Sequence, residues 1–307
     1  MIPIYRMPVI HIEITNACNI TCSNCTRFVG HHDKVFFMEL DFVEKAIDSL
    51  EGFPGFIGIM GGEPTAHPRF VEICKIVQQK IPRPKRQLWT NGFKWDKHRA
   101  VISETFDDHN ITFNSHKDPE VGTHQPLLLA AEDILEDREL MWRLIGNCWI
   151  QWRWAASITP KGGFFCEVAA AQDMLFDGPG GYPLEKGWWN KNPNEFADQV
   201  KKHCTKCSAA IPMPGISSHA DYDLISKTNE KRLKDVNSPR LAKGKFRVVD
   251  IKLTEEDIER AVKAGWTPWS HRPYKQNSPE HKWVETIVEG KSIPIPETKS
   301  SSCKSCG

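Results

Sequence analysis

Val9–Cys25 reads VIHIEITNACNITCSNC, and the passage changes character midway. Val9 to Thr15 alternates β-branched and polar residues, the composition of a strand. Beyond Thr15 the side chains become small and polar, and Cys18, Cys22 and Cys25 stand as C-x3-C-x2-C in what reads as a loop. From Glu39 to Leu50 the residues Leu40, Val43, Ile47 and Leu50 recur at helical spacing. An apolar strand follows at Phe56–Met60, then a helix from Arg69 to Lys80. Next come a strand ending at Leu88-Trp89-Thr90, a helix from Asp96 to Thr105 and a strand at Ile111–Phe113. Strands alternating with helices predict an α/β fold with a mostly parallel sheet. Such sheets bind ligands beyond the C-terminal ends of their strands, where the Cys-, Gly- and Asn-rich turns all fall.

Past residue 146 the alternation stops. Trp149 to Ile158 and Phe164-Phe165 flank Pro160-Lys161-Gly162-Gly163 and read as a hairpin turned by the glycines. From Ile211 onward Pro, Lys and Ser dominate, and one clear helix starts at Thr254, capped by T-x-x-D to Asp257 and closed by Gly265. No internal repeat is present.

The chain has 307 residues and a net charge of +1, with 26% charged and 40% apolar residues. It has the length for one elaborated domain or two small ones. Near-neutrality disfavours nucleic-acid binding by a basic field, and no apolar run reaches membrane-spanning length. With no signal-peptide pattern at Met1 to Ile10, a cytoplasmic location is expected. The ten cysteines of such a chain then point to metal or redox chemistry rather than to disulfides.

Three thiolates at the spacing of Cys18, Cys22 and Cys25 can hold three corners of an iron-sulfur cubane and leave one iron open. The alternative is a zinc site completed by His31 or His32. Gly61-Gly62-Glu63-Pro64 follows the next strand. Its glycines allow close backbone approach to a ligand, and its carbonyls and the Glu63 carboxylate can accept from an ammonium group.

Through the cysteine triplet and GGEP in a βα context, the sequence resembles the radical S-adenosylmethionine (SAM) superfamily. The resemblance implies a partial (β/α) barrel with a [4Fe-4S] cluster whose open iron binds SAM. It also implies reductive cleavage of SAM to a 5′-deoxyadenosyl radical, with the electron supplied by a partner such as flavodoxin or ferredoxin. On this resemblance Gly61, Gly62 and Glu63 would line the SAM amine, while Thr90, Asn91, Asn114 and Ser115 would reach its ribose and carboxylate. Asn24 stands where the family commonly has an aromatic residue, and offers an amide and its backbone instead.

Cys148 and Cys166 bracket the expected hairpin, and Cys204-x2-Cys207 follows. This arrangement resembles a twitch-type auxiliary domain, a shortened SPASM-like element of the kind in 2-deoxy-scyllo-inosamine dehydrogenase. It implies that these four cysteines ligate a second [4Fe-4S] cluster; zinc could use the same four. Cys74, on a helix, reads as a structural thiol, and Cys303 and Cys306 read as a redox pair, as ligands to a third site or, the favoured reading, as unordered tail thiols.

The expected organisation is a radical SAM partial barrel over 1–146, an auxiliary cluster domain over 147–210 and an α-containing C-terminal extension over 211–307. The expected activity is hydrogen abstraction from a small hydroxylated molecule, carbohydrate- or aminocyclitol-like, ending in dehydrogenation or epimerisation. The eleven tryptophans include Trp149, Trp152, Trp154, Trp188 and Trp189, which could stack on sugar faces or simply pack. The alternatives are a peptide-modifying maturase and a non-catalytic zinc module built on Cys204, Cys207, Cys303 and Cys306.

Overall fold

The computed structural model describes residues 1–114, 122–153 and 155–266, so Ser115, Trp154, Cys303 and Cys306 lie outside the described residues. The first part is a regular alternation. It runs β1 (Val9–Glu13), α1 (Leu40–Ser49), β2 (Phe56–Met60), α2 (Phe70–Lys80), β3 (Arg86–Thr90), α3 (Trp95–Thr105) and β4 (Ile111–Phe113). The middle contains β5 (Thr123–His124), α4 (Ala131–Ile134), α5 (Arg138–Gly146), α6 (Trp149–Arg153), β6 (Ala155–Thr159), β7 (Gly162–Phe164), α7 (Glu167–Leu175) and α8 (Ala197–His203). The last part contains β8 (Ile216–Ser217), β9 (Asp223–Ile225), α9 (Lys227–Asp235), α10 (Pro239–Ala242), β10 (Phe246–Val248) and α11 (Glu255–Lys263).

Six strands form one sheet in the order β4-β3-β2-β1-β6-β7. All neighbours are parallel except β6 and β7. Every residue of β1 is buried, as expected for a central strand covered on both faces. Val43, Ala46 and Ile47 of α1 and Phe70, Ile73, Cys74 and Val77 of α2 join β1 in one hydrophobic core. The mixed α/β architecture with a parallel central sheet is the one the βα alternation predicts.

Three local expectations are corrected. Trp149 opens helix α6 rather than a strand, and the hairpin strand begins at Ala155. The hairpin turns at Pro160-Lys161, while Gly162 and Gly163 lie within β7. Both glycines answer a packing need: a Cβ would come 2.5 Å from the Tyr182 carbonyl at Gly162 and 2.7 Å from the Trp188 ring at Gly163. The region after Ile211 holds more than one helix, since β9 and β10 pair in parallel around α9 and α10. The expected cap of α11 is present, with Thr254 and Asp257 forming a capping box.

Trp188 and Trp189 donate their indole N–H groups to the Ser49 hydroxyl and carbonyl, both at 3.2 Å, and are buried. They pin the segment before α8 to the end of α1, so they pack rather than offer faces for stacking. Among the described residues no helix is long and apolar enough to cross a membrane.

Candidate metal centres

The sheet fixes where the cysteine loop can go. It leaves the C-terminal end of β1 and meets the turn after β2. Gly62 N–H donates to the Thr15 carbonyl at 2.8 Å and Glu63 N–H to the Ala17 carbonyl at 2.7 Å. A Cβ on Gly61 would lie 2.2 Å from the Thr15 oxygen, and one on Gly62 would lie 2.5 Å from the Ala17 oxygen. Only glycine lets the two loops seat against each other.

Cys18, Cys22, Cys25, Gly61, Gly62, Thr90, Asn91 and Asn114 line a single cleft, with Trp89 and His124. The structure therefore brings together most of the residues singled out in the sequence. Glu63 is absent from this lining and fully buried. One carboxylate oxygen accepts from Thr65 N–H (3.0 Å), Thr65 O–H (2.6 Å) and Thr90 O–H (2.7 Å), and the other from Asn91 N–H (2.7 Å). These bonds tie Glu63 to the Thr90-Asn91 turn that lines the cleft. The Asn91 amide in turn donates to Asn19 Oδ1 at 2.9 Å and to Cys18 Sγ at 3.5 Å.

Asn24 turns away from the cleft. Its backbone adopts a positive φ of 50°, and its side-chain oxygen accepts from Leu224 N–H at 3.0 Å. The zinc alternative loses both its histidines. His31 is held between Asp223 and Ser238, and His32 faces the Arg27 carbonyl at 3.3 Å.

Cys148, Cys166, Cys204 and Cys207 line a second pocket, walled mainly by Ile145, Phe165, Val168 and Ala169. Each set contains thiols that are costly to ionise alone. Burial pushes Cys18 up to about 12, and burial followed by the facing Cys25 and Cys18 raises Cys22 further. Burial likewise lifts Cys166 to about 12 and Cys207 to about 11, and raises Cys148 and Cys204 well above the ordinary thiol range. Mutually facing, desolvated thiols fit a cationic iron cluster, which ionises its ligands by supplying the missing positive charge. Among the described residues the cysteines are free, and no three His, Cys, Asp or Glu side chains converge on a single-ion position.

A buried charge network lies between the two cysteine sets, and sequence reasoning did not single it out as a unit. Arg27, two residues past Cys25, pairs with Glu13 at 2.6 Å and with Glu167, next to Cys166, at 3.3 Å. Its Nη1 also donates to the Glu167 carbonyl at 3.1 Å. Ser157 O–H donates to Glu13 at 2.8 Å, and His11 Nδ1 lies 3.3 Å from Glu167. Burial opposes the Arg27 charge, but Glu13 and Glu167 outweigh it and hold the guanidinium above its ordinary value. The one available sequence signal was proximity to the cysteines. Farther away on α5, Arg138 is exposed and Arg143 pairs with Glu255 at the surface.

Residues 12–116 match the family model described as the Radical SAM superfamily. A Pyrococcus furiosus protein described as tungsten-containing aldehyde ferredoxin oxidoreductase cofactor-modifying protein is 38% identical over 80 residues, covering 24% of this chain. The chain spans about a fifth of that relative, 21% of its length. Among solved structures, BtrN in complex with AdoMet and 2-DOIA is similar at 18% identity and a TM-score of 0.42, covering 65% of this chain and 88% of that one. SeMet BtrN in an open conformation is similar at 17% identity and a TM-score of 0.39, covering 65% and 86%. The match over 12–116 spans the cysteine loop, the GGEP turn and the Thr90-Asn91 turn that share one cleft, so it is this stretch that matches the radical SAM superfamily, on a mixed α/β frame with a parallel central sheet.

Proposed function

We propose that the chain is a two-cluster radical SAM oxidoreductase acting on a small hydroxylated substrate, carbohydrate- or aminocyclitol-like, with dehydrogenation as the outcome. The carrying observation is the gathering of two separate cysteine sets into two cavities, one at the sheet's C-terminal edge and one inside the 147–210 segment.

In this reading residues 1–146 bind the first cluster and SAM, and 147–210 form the auxiliary domain. Cys18, Cys22 and Cys25 would hold a [4Fe-4S] cluster with one iron left to SAM. Cys148, Cys166, Cys204 and Cys207 would close a second cluster completely. When bound, these groups supply hydrogen-atom abstraction and an acceptor for the electron that a carbinol carbon gives up on becoming a carbonyl.

The chain's own contribution is positional. Gly61 and Gly62 present bare backbone to the cleft, and Thr90, Asn91 and Asn114 offer polar groups beside it. Glu63 orders the Thr90-Asn91 turn through its four accepted hydrogen bonds. The Asn91 amide directed at Cys18 Sγ favours the ionised sulfur. Arg27 supplies a fixed positive charge between the cysteine sets. The electron donor, flavodoxin or ferredoxin, belongs to the same proposal.

Anaerobic reconstitution tests the reading. About eight irons and eight sulfides per chain are expected from two four-iron clusters, together with 5′-deoxyadenosine formation on challenge with a panel of sugars, aminocyclitols and nucleotide sugars. Recovery of an oxidised product supports dehydrogenation, and a stereoisomer of the substrate would replace it with epimerisation. About four irons with one zinc would remove the auxiliary cluster, and a colourless protein indifferent to SAM would remove the whole reading.

A further inference from the structure

The cysteine loop has no helix or strand of its own between Thr21 and Asn24, yet a radical SAM site needs its sulfurs fixed. Its backbone is held from far along the chain. Ser23 N–H donates to the Ser218 carbonyl at 2.8 Å, and the Ser23 hydroxyl donates to the Tyr222 carbonyl. Asn24 N–H donates to Asp223 Oδ1 at 2.6 Å, and Leu224 N–H returns a bond to the Asn24 side chain at 3.0 Å. Arg240 Nη1 donates to the Thr21 carbonyl, immediately before Cys22, at 3.1 Å.

The Asn24 and Arg240 contacts meet at one carboxylate, that of Asp223. The second oxygen of Asp223 lies 2.7 Å from both His31 Nε2 and Arg240 Nε. The other His31 nitrogen lies 2.7 Å from the Ser238 hydroxyl. Asp223, His31 and Arg240 are 2%, 2% and 5% exposed. Gly30 leaves the room this needs, since a Cβ there would come 3.0 Å from Arg240 Cδ. The segment is itself anchored. β9 pairs with β10, Ser226 N–H donates to the Leu128 carbonyl at 3.1 Å, and Leu128 and Ile225 form a bridge. An ion network buried at this depth fixes orientation rather than adding adhesion, because its desolvation cost offsets most of its attraction.

We propose that residues 216–240 are a clasp for the cysteine loop, with Asp223 as the positioning residue that holds Thr21–Asn24 in the shape the first metal site needs. The proposal rests on the metal-site reading above and assigns a role to a segment whose sequence gave none. Arg240 and His31 fix the Asp223 carboxylate, Asp223 fixes Asn24, and the left-handed backbone at Asn24 sets the spacing between Cys22 and Cys25.

The test uses the full chain in a Cys204→Ala/Cys207→Ala background, so that the first site is read alone. Asp223→Asn keeps the shape of the side chain and removes the anion. It should make iron at the first site roughly tenfold or more easily lost to a chelator and alter the low-temperature EPR signal of the reduced protein with SAM. Arg240→Met should do the same and Arg240→Lys should restore much of the wild-type behaviour. Hydrogen exchange at the Ser23 and Asn24 amides in the metal-free chain should quicken in Asp223→Asn, which reads the clasp without any cluster. If Asp223→Asn fails to fold, Arg240→Met and Ser238→Ala carry the same comparison. Unchanged exchange overturns the clasp whether or not iron binds. Quickened exchange with unchanged iron retention and EPR overturns its role at the metal site. A parent chain that binds no iron cluster overturns the metal-site reading, and the exchange result still decides the clasp.

Discussion

Gly62 shows how much of this site is decided by single atoms. The carbonyl oxygens of Ala17 and Asn16 lie 2.5 and 2.7 Å from where its Cβ would be, and both are backbone that cannot swing aside. Gly62→Ala must therefore push the cysteine loop away from the turn after β2, at about 1–3 kcal/mol for overpacking. The expected result is a lower urea midpoint together with weaker iron retention at the first site. Gly146→Ala is the control, because nothing lies within 4 Å of its Cβ position at the end of α5; it should hold or raise the midpoint by helix preference and leave iron retention unchanged. Equal behaviour of the two variants would mean that the glycines do not seat the loop. Glu63 belongs to the same scale. Its carboxylate accepts from three donors at one oxygen and from one at the other, and so braces the neighbouring turn.

Among the elements, legibility followed the range of the cause. The βα alternation, the triplet at Cys18 to Cys25 and the cap at Thr254 are written in neighbouring residues, and the structure carries all three. The pairing of β6 with β1, the Asp223 network and the Arg27 network are not, because their partners are far apart. His31 and Asp223 are separated by 192 positions and Arg27 and Glu167 by 140, so each appears in the sequence only as an isolated polar letter. The turn after β2 has another such partner in His67. Its Nδ1 accepts from Arg69 N–H at 3.1 Å, and its Nε2 donates to the Met38 carbonyl just before α1, also at 3.1 Å. That arrangement requires the neutral ring, and burial lowers its pKa. Burial lowers His32 and His98 in the same direction. The unfolded chain therefore takes up protons that the native chain refuses, so stability is complete above the ordinary histidine value of about 6.5 and declines as pH falls below it. Urea midpoints measured across that range should fall toward acid, and His67→Gln should flatten the slope. A His67→Gln profile parallel to that of the wild type would show that this ring does not titrate with unfolding.

At the scale of the whole molecule the question is what ties the two cysteine sets to one another. Arg27 is placed to do so, since it follows Cys25 by two residues while Glu167 follows Cys166 directly, and Glu13 stands on the central strand between them. Arg27→Met leaves two buried carboxylates without their cation, which costs about 3–5 kcal/mol when one partner of a buried pair is removed. Arg27→Lys keeps the charge but cannot span both carboxylates with one planar fork, so an intermediate loss is expected. If the network joins the sites, Arg27→Met should weaken iron retention at both cysteine sets, although the substitution is local to the first. Glu13→Gln combined with Arg27→Met should then cost less than the sum of the two single changes, because each already breaks the same pair. Urea unfolding gives the energies, and chelator challenge of chains lacking one cysteine set or the other assigns the iron. Additive energies, or iron loss confined to the first set, would mean that Arg27 stabilises its own loop and leaves the second site to stand by itself.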